Sequence, residues 1–306
     1  VAQVLGAIDI GASTVLVGVA SVEGELVSDS VVSFATPSSA EELIASITSA
    51  LAAVTGSAPI VRVGCVAPGP IDYENGVVLR LHNKAWGPLA IVQGLRDAFS
   101  CEVRLEDDAA AAAVAEARLG AGTGRNPVGY VTVSSGVGAG LVVNGARHRG
   151  AHGTAGEVGH LVVDPTGPSC NCGRRGDVES FAGGLSLVRQ LVAEWPEPLN
   201  GYANDRSPAE LFERAAAGDE RALGILRRGR DALAHCFAAI ATLWDPEVIV
   251  VGGSVALGQT RWIDESFEAA RDLCMAEVGE GMRHEFASLG ARSALIGAAL
   301  LASVTS

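Results

Sequence analysis

A strand, a short polar turn and a second strand occur twice in this chain, and this repeat limits the possible folds more than any other feature. Gly6–Asp9 and Val15–Ala20 read as two β-branched, apolar strands joined by Ile10-Gly11-Ala12-Ser13-Thr14, with Gly11 marking the tight connection. Val128–Ser134 and Ala139–Asn144 repeat the pattern around Ser135-Gly136-Val137-Gly138. Two such units point to two related α/β halves. Backbone N–H groups of these turns, with the Ser13 and Thr14 hydroxyls, suit phosphate oxygens, and Asp9 is placed to sit near a Mg²⁺ ion. A plain hairpin with a capping Asp satisfies the first stretch as well.

Between the two units the pattern predicts a strand at Leu26–Ser33 and a helix at Ala40–Ala53. A strand at Val61–Val66 runs into the rigid turn Pro68-Gly69-Pro70, and a helix covers Leu89–Phe99. A short strand, Val103–Leu105, ends in Glu106-Asp107-Asp108, and an alanine-rich helix runs from there to Leu119. Acids at a helix start commonly cap it and answer its dipole. Three adjacent carboxylates exceed what capping needs, and a helix N-terminus holds one of them ionised and oriented, as a general base requires. Beyond Glu179 the chain reads as mainly helical, at Ser186–Glu194, Pro208–Ala216, Glu220–Trp244, Arg261–Val278 and Ser293–Ala302. Glu247–Val251 is a buried strand among them, ending in Gly252-Gly253-Ser254, a second turn suited to close approach by a nucleotide.

The net charge of −13 argues against a nucleic-acid partner, whose phosphates demand a basic face. The longest apolar runs, such as Ala109–Ala115 and Val248–Val251, are far shorter than a membrane span, and the N-terminus lacks signal-peptide order. A soluble, cytoplasmic protein is expected. Of the six cysteines, Cys65, Cys101, Cys236 and Cys274 stand alone in apolar surroundings and are expected to be buried small hydrophobes. Cys170 and Cys172 are spaced for a metal. With His160 ten residues upstream and Asp177 five residues downstream, they supply the four ligands that a closed zinc site takes. A loop with two free thiols is the alternative.

The stretch from Val133 to His160 lies at the spacings of a known signature. Val133-x-x-Gly136-Val-Gly138-x-Gly140-Leu, Gly150, Gly156 and Gly159-His160 resemble the central motif of the ROK family of sugar kinases and related repressors. Asp9-Ile-Gly11 resembles the family's opening phosphate motif and Pro68-Gly69-Pro70 its sugar-side turn. Glu106-Asp107-Asp108 resembles its Asn-Asp catalytic segment, Glu157-Val-Gly-His160 its Glu-x-Gly-His motif, and Cys170–Glu179 its zinc loop. The Asp245-Pro-Glu…Gly252-Gly253 stretch and the Gly297-Ala-Ala ending also fit, so the resemblance covers essentially the whole chain.

It implies an α/β, actin/hexokinase-like (ribonuclease H-like) fold of two domains around a cleft. The first domain is expected over residues 1–106, with the last helix, from about 293, able to pack back on it, and the second over 107–292. It further implies transfer of the γ-phosphoryl group of ATP-Mg²⁺ to a hexose hydroxyl, usually the 6-OH, in a protein that is often a homodimer. Carried over by position, Asp108 is the base, while Gly69, Asn83, Asp107, Glu157, His160 and Glu179 hold the sugar. Asp9, Gly11, Ser13, Gly136 and Gly138 face the phosphates and metal, Gly252 and Gly253 face the adenosine, and His160, Cys170, Cys172 and Asp177 surround structural Zn²⁺.

This chain departs from the pattern in three places. Ala12-Ser13-Thr14 stands for Gly-Thr-Lys, Asp107 for the usual Asn, and Asp177 for the third zinc cysteine. Asp107 is expected to repel Asp108 and raise its pKa. A non-catalytic sugar sensor of the same fold is the competing reading; a chain that begins almost at its first strand offers no basic recognition helix for DNA. A bare zinc scaffold leaves Asp108 and the glycine turns unexplained.

Overall fold

The computed structural model of the protein describes residues 3–81, 86–196 and 206–304. It opens with the hairpin β1 (Val4–Ile10) and β2 (Thr14–Ala20), then β3 (Val32–Ala35), α1 (Ala40–Thr55), β4 (Ile60–Ala67) and a two-stranded ribbon of β5 (Ile71–Asp72) and β6 (Val77–Val78). Next come α2 (Ile91–Phe99), β7 (Glu102–Asp107), α3 (Asp108–Leu119), the second hairpin β8 (Val128–Val133) and β9 (Val137–Val143), and a short β10 (Ala146–Arg147). The remainder is α4 (Val178–Ala182), α5 (Gly184–Glu194), α6 (Pro208–Ala216), α7 (Glu220–Trp244), β11 (Val248–Gly252), α8 (Ser254–Gly258), α9 (Thr260–Asp272), α10 (Ala276–Gly281), β12 (His284–Phe286) and α11 (Ser293–Ser303).

Two compact units result. One holds the residues up to Gly120, Gly145–Ala155 and those from Arg292; the other holds Ala121–Asn144 and Gly156–Ala291. In the first, the strands are ordered β3-β2-β1-β4-β7, with β1, β4 and β7 parallel and the hairpin antiparallel. In the second, the order β9-β8-β11-β12 repeats the scheme, an antiparallel hairpin whose first strand pairs in parallel with a later one. Parallel strands put their carboxyl ends at one edge of a sheet, and ligands of open α/β sheets bind there. Asp9, Ala67 and Asp107 share that edge in the first unit, as do Val133 and Gly252 in the second.

Burial follows the expected periodicities. Leu43, Ile47 and Leu51 line one face of α1 at four-residue spacing, and the Ser39 side chain caps that helix by accepting from the Glu42 N–H. The alanine run of α3 has a more specific cause. Ala109–Ala113 and Ala115 are all buried, and α11 packs against α3 so closely that a Cβ on Gly297 would lie 2.3 Å from the Ala111 carbonyl oxygen. Small side chains are what let two helix backbones approach in this way.

Several local expectations are corrected. Leu26–Ser33 is not one strand: Leu26 makes a single bridge to Ala20, Ser28–Ser30 form a 3₁₀ turn, and β3 begins at Val32. The buried Ser30 hydroxyl accepts from the Val19 N–H at 3.0 Å and donates to the Val27 carbonyl at 2.6 Å. A side chain that bonds the backbone in this way replaces ladder bonds. The helix expected over Arg261–Val278 breaks at Leu273–Met275 into α9 and α10. Cys65 and Cys236 are buried as expected, but Cys101 and Cys274 are only partly so. Among the described residues no helix is long and apolar enough to cross a membrane.

Candidate active site

In the first unit the predicted residues collect at the carboxyl ends of β1, β4 and β7. The turn after β1 is closed by the Gly11 N–H donating to the Thr14 carbonyl at 2.9 Å. The Thr36 hydroxyl donates to the Gly11 carbonyl at 2.7 Å, and the Thr36 N–H donates to the Ser13 carbonyl at 3.0 Å. The turn is therefore fixed from outside by Thr36, the residue just after β3, a contact that a short motif does not reveal. Gly69 sits just beyond β4, in a cis peptide with Pro70.

Asp107 ends β7 and is at once the N-cap of α3, its Oδ1 accepting from the Ala110 N–H at 3.0 Å. Asp and Asn are equally good caps, so the departure from the usual Asn keeps the start of the helix. Asp108 is the first residue of α3, with its Oδ1 accepting from the Ala109 N–H at 2.7 Å. It shares this strand edge with the half-buried Asp9, whose carboxyl is pushed up to about 8 by burial first and by the Asp108 charge second. Asn83, the remaining sugar-side residue expected here, lies outside the described residues.

The Asp9 shift has a testable sign. Its carboxyl titrates near 3.8 when unperturbed and near 8 in the folded chain, so the fold favours the protonated form. The stability this contributes is complete below about pH 4 and is lost as pH rises through about 8. In buffer without metal or nucleotide, Asp9→Asn is therefore expected to gain melting temperature relative to the parent as pH is raised from 5 to 8.5. A melting difference that does not change with pH would refute this.

In the second unit Gly136, Gly138, Glu157, His160 and Glu179 lie on or against β9, and Gly136 also has a packing reason to lack a side chain. Glu179 is buried, and its Oε2 accepts from the Val137 N–H at 3.0 Å. A Cβ on Gly136 would lie 2.3 Å from that oxygen. Gly136 is thus the seat of the Glu179 carboxylate. Gly138 lies within β9, paired with Thr132. Gly159 and Gly156 bring the Glu-x-Gly-His segment flat against β9, where added Cβ atoms would stand 2.0 and 2.3 Å from the Val137 and Ala139 carbonyl oxygens. Glu157 is left exposed and His160 half-buried.

The turns after β8 and β11 also meet. Gly252 ends β11 beside Thr132 of β8, and Ser134 and Ser254 share a hydrogen bond between hydroxyls at 3.1 Å. Gly253 takes φ +93°, and a Cβ there would lie 2.4 Å from the Val133 carbonyl oxygen. The start of α5 closes over the same turn, with Gly184 and Leu185 N–H groups donating to the Ser134 and Ser135 carbonyls at 2.8 and 3.0 Å.

His160, Cys170, Cys172 and Asp177 present one ligand atom each within 4.8 Å of one another. His160 Nδ1 lies 3.0 Å from Asp177 Oδ2 and 3.8 Å from Cys170 Sγ, and Cys172 Sγ lies 3.4 Å from the same Asp177 oxygen. Tetrahedral zinc, with bonds of about 2.0–2.3 Å, separates its ligand atoms by such spacings, so the donor set fits. Burial opposes ionisation of Asp177. Hydrogen bonds from His160, from the two thiols and from the Ser180 N–H outweigh it and hold the carboxyl well below the usual range. The hydrogen bond to Asp177 raises the pKa of His160, while burial raises that of the Cys170 thiol. Glu179 adjoins the cluster, its Oε1 lying 3.8 Å from Cys170 Sγ.

Residues 5–304 match the ROK family. The chain is 32% identical over 257 residues to a glucokinase of Thermotoga maritima, covering 81% of each. It is 32% identical over 231 residues to an N-acetylmannosamine kinase of Haemophilus influenzae, covering 74% of this chain and 72% of that one. It superposes on the ROK family glucokinase from Streptomyces griseus in complex with glucose and AMPPNP with a TM-score of 0.82, at 30% identity over 98% of this chain and 99% of that one. The α/β architecture expected from the sequence is the actin/hexokinase-like fold of these kinases. By motif, by fold and by near-complete coverage, the chain belongs to the ROK family.

Proposed function

We propose that this protein is an ATP-dependent sugar kinase that transfers the γ-phosphoryl group to a hexose or N-acetylhexosamine hydroxyl. The observation that carries the reading is Asp108, presented on the first turn of α3 beside Asp9 at the carboxyl edge of the parallel strands. Its relatives' names, glucokinase and N-acetylmannosamine kinase, bracket the acceptor without choosing one.

Phosphoryl transfer asks a protein mainly for positioning and electrostatics. Asp108 accepts the proton of the attacking hydroxyl. In the first unit Gly69 and Asp107, and in the second Glu157, Glu179 and one nitrogen of His160, offer groups that bind sugar hydroxyls, and polar groups of this kind reject sugars that lack a hydroxyl to pair with them. In the first unit the turn at Gly11–Ser13, and in the second those at Gly136–Gly138 and Gly252–Gly253, are each of a kind that receives phosphate or nucleotide. Asp9 would hold Mg²⁺, whose charge would stabilise the phosphoryl oxygens and draw the Asp9 carboxyl back to its ionised form. His160 Nδ1, Cys170, Cys172 and an Asp177 oxygen would hold zinc. That would fix the His160 tautomer and leave Nε2 for the sugar.

The test is an assay of ADP release with ATP-Mg²⁺ against a panel of hexoses and N-acetylhexosamines. Turnover on one class of sugar is expected. Sugars that raise the melting temperature without any turnover would overturn the kinase and leave a sugar sensor.

A further inference from the structure

Glu106 is an acid without a task in the chemistry above. It precedes the Asp107–Asp108 pair directly and is buried to 4% exposure. A carboxylate taken out of water at that depth is strongly disfavoured unless it is paired, and here the pairing is dense. Its Oε1 accepts from the Tyr73 hydroxyl at 2.8 Å, from the Asp107 N–H at 2.9 Å and from the Arg147 guanidinium. Its Oε2 accepts from Arg149 at 2.8 Å. The Arg147 side chain is itself only 8% exposed and also donates to the Tyr73 hydroxyl at 3.1 Å, and both guanidinium groups lie 5.5 Å from the centre of the Tyr73 ring.

Two consequences follow for the neighbouring pair. The bond to the Asp107 N–H fixes the Glu106–Asp107 peptide at the end of β7, and so orients Asp107, the N-cap of the helix that carries Asp108. The second consequence is electrostatic. Asp9 from β1, Glu106 and Asp107 from β7, and Asp108 from α3 set four carboxylates at one strand edge. Among the described residues that interact there, Arg147 and Arg149 of the 145–155 segment are the opposing cations, with Tyr73 between. The Tyr73 phenol is held above its ordinary range by burial first, and the charges of Arg147, Asp107 and Arg149 all act on it. Asp107 and the two arginines therefore share one local field, and Asp107 is the residue that adds a negative charge where the family pattern has a neutral amide.

We propose that Glu106, with Arg147 and Arg149, positions the Asp107–Asp108 pair: it locks the peptide ahead of the base and holds two cations that offset the Asp107 charge. This role holds only with Asp108 as the base of the kinase proposed above. The test is kcat and kcat/KM against pH for Arg147→Met, Glu106→Gln and Arg149→Gln, with melting curves alongside. Loss of a cation raises the pKa of neighbouring carboxyls, so Arg147→Met is expected to move the acid limb of kcat upward by about 0.5–1 pH unit. Arg149→Gln, more exposed and safer for folding, should move it the same way by less. Glu106→Gln removes an anion while keeping the acceptor for the Asp107 N–H, and should move the limb downward. Asp107→Asn added to Arg147→Met should bring the limb back toward the parent.

Variants that only lower the melting temperature, with acid limbs unmoved or all moved the same way, would overturn the proposal. Parent turnover that survives Asp108→Asn would instead overturn the base assignment, and a parent chain inactive on every sugar would overturn both.

Discussion

Asp108→Asn is expected to lower kcat by about 10²–10⁴-fold, the usual worth of a general base, while leaving sugar binding in place. The substitution is nearly isosteric, and the amide oxygen can still accept from the Ala109 N–H that Asp108 Oδ1 bonds at 2.7 Å. Asp107, not Asp108, caps α3, so the helix start is kept. Loss of one negative charge at a helix N-terminus costs about 0.3–1 kcal/mol, too little to unfold the unit. The loss should therefore appear in kcat and not as a melted protein, and a sugar substrate should raise the melting temperature of the variant as it does that of the parent. The same substitution removes the charge that helps to hold the Asp9 carboxyl near 8, so Asp9 should ionise at lower pH. Steady-state kinetics with thermal-shift titration checks this. A variant that turns over within a few-fold of the parent removes Asp108 from the chemistry.

What could be read in the chain beforehand was local. The hairpin turns at Gly11 and Gly136, the acid run at Glu106–Asp108 and the cysteine pair are each set by residues near one another in sequence, and their positions in the fold follow from strand and helix periodicity. What could not be read joins distant residues. Glu106 looks like one of three capping acids until Tyr73, Arg147 and Arg149, between 33 and 43 residues away, are seen to converge on it. Gly136 suggests a phosphate turn, and nothing nearby shows that the Glu179 carboxylate, more than 40 residues on, also excludes a side chain there. Short edge elements leave no pattern either. The β5–β6 ribbon and β12 have two or three residues per strand, too few for alternation to show. The break between α9 and α10 carries neither Gly nor Pro to announce it.

Metal removal is the second large effect expected, and Asp177 is where it is best tested. The four ligand atoms already stand within 4.8 Å, but two of them are thiols, and burial pushes the Cys170 thiol further from ionisation. A dication reverses that balance, since coordination deprotonates thiols outright. Zinc bound at a hundred to a thousand times its dissociation constant would stabilise the folded chain by about 3–4 kcal/mol, which lowers the melting temperature by roughly 6–16 °C when it is stripped. Asp177 does a second job, because Oδ1 caps α4 through the Ser180 N–H at 2.8 Å while Oδ2 faces the cluster. With zinc bound, a carboxylate in place of a third thiolate would let one side chain serve helix and metal together. Asp177→Asn keeps the capping oxygen and gives up the anionic ligand, so it should lose metal and melt as low as the stripped parent. Asp177→Cys gains a thiolate and gives up the carboxylate cap, so it should bind zinc more tightly yet recover less stability than the added affinity implies. Elemental analysis of chelator-free protein, with melting curves before and after chelation, decides the matter. About one zinc per chain is expected for the parent, and a parent without zinc, whose melting chelation does not move, would leave the four residues as a hydrogen-bonded cluster and nothing more.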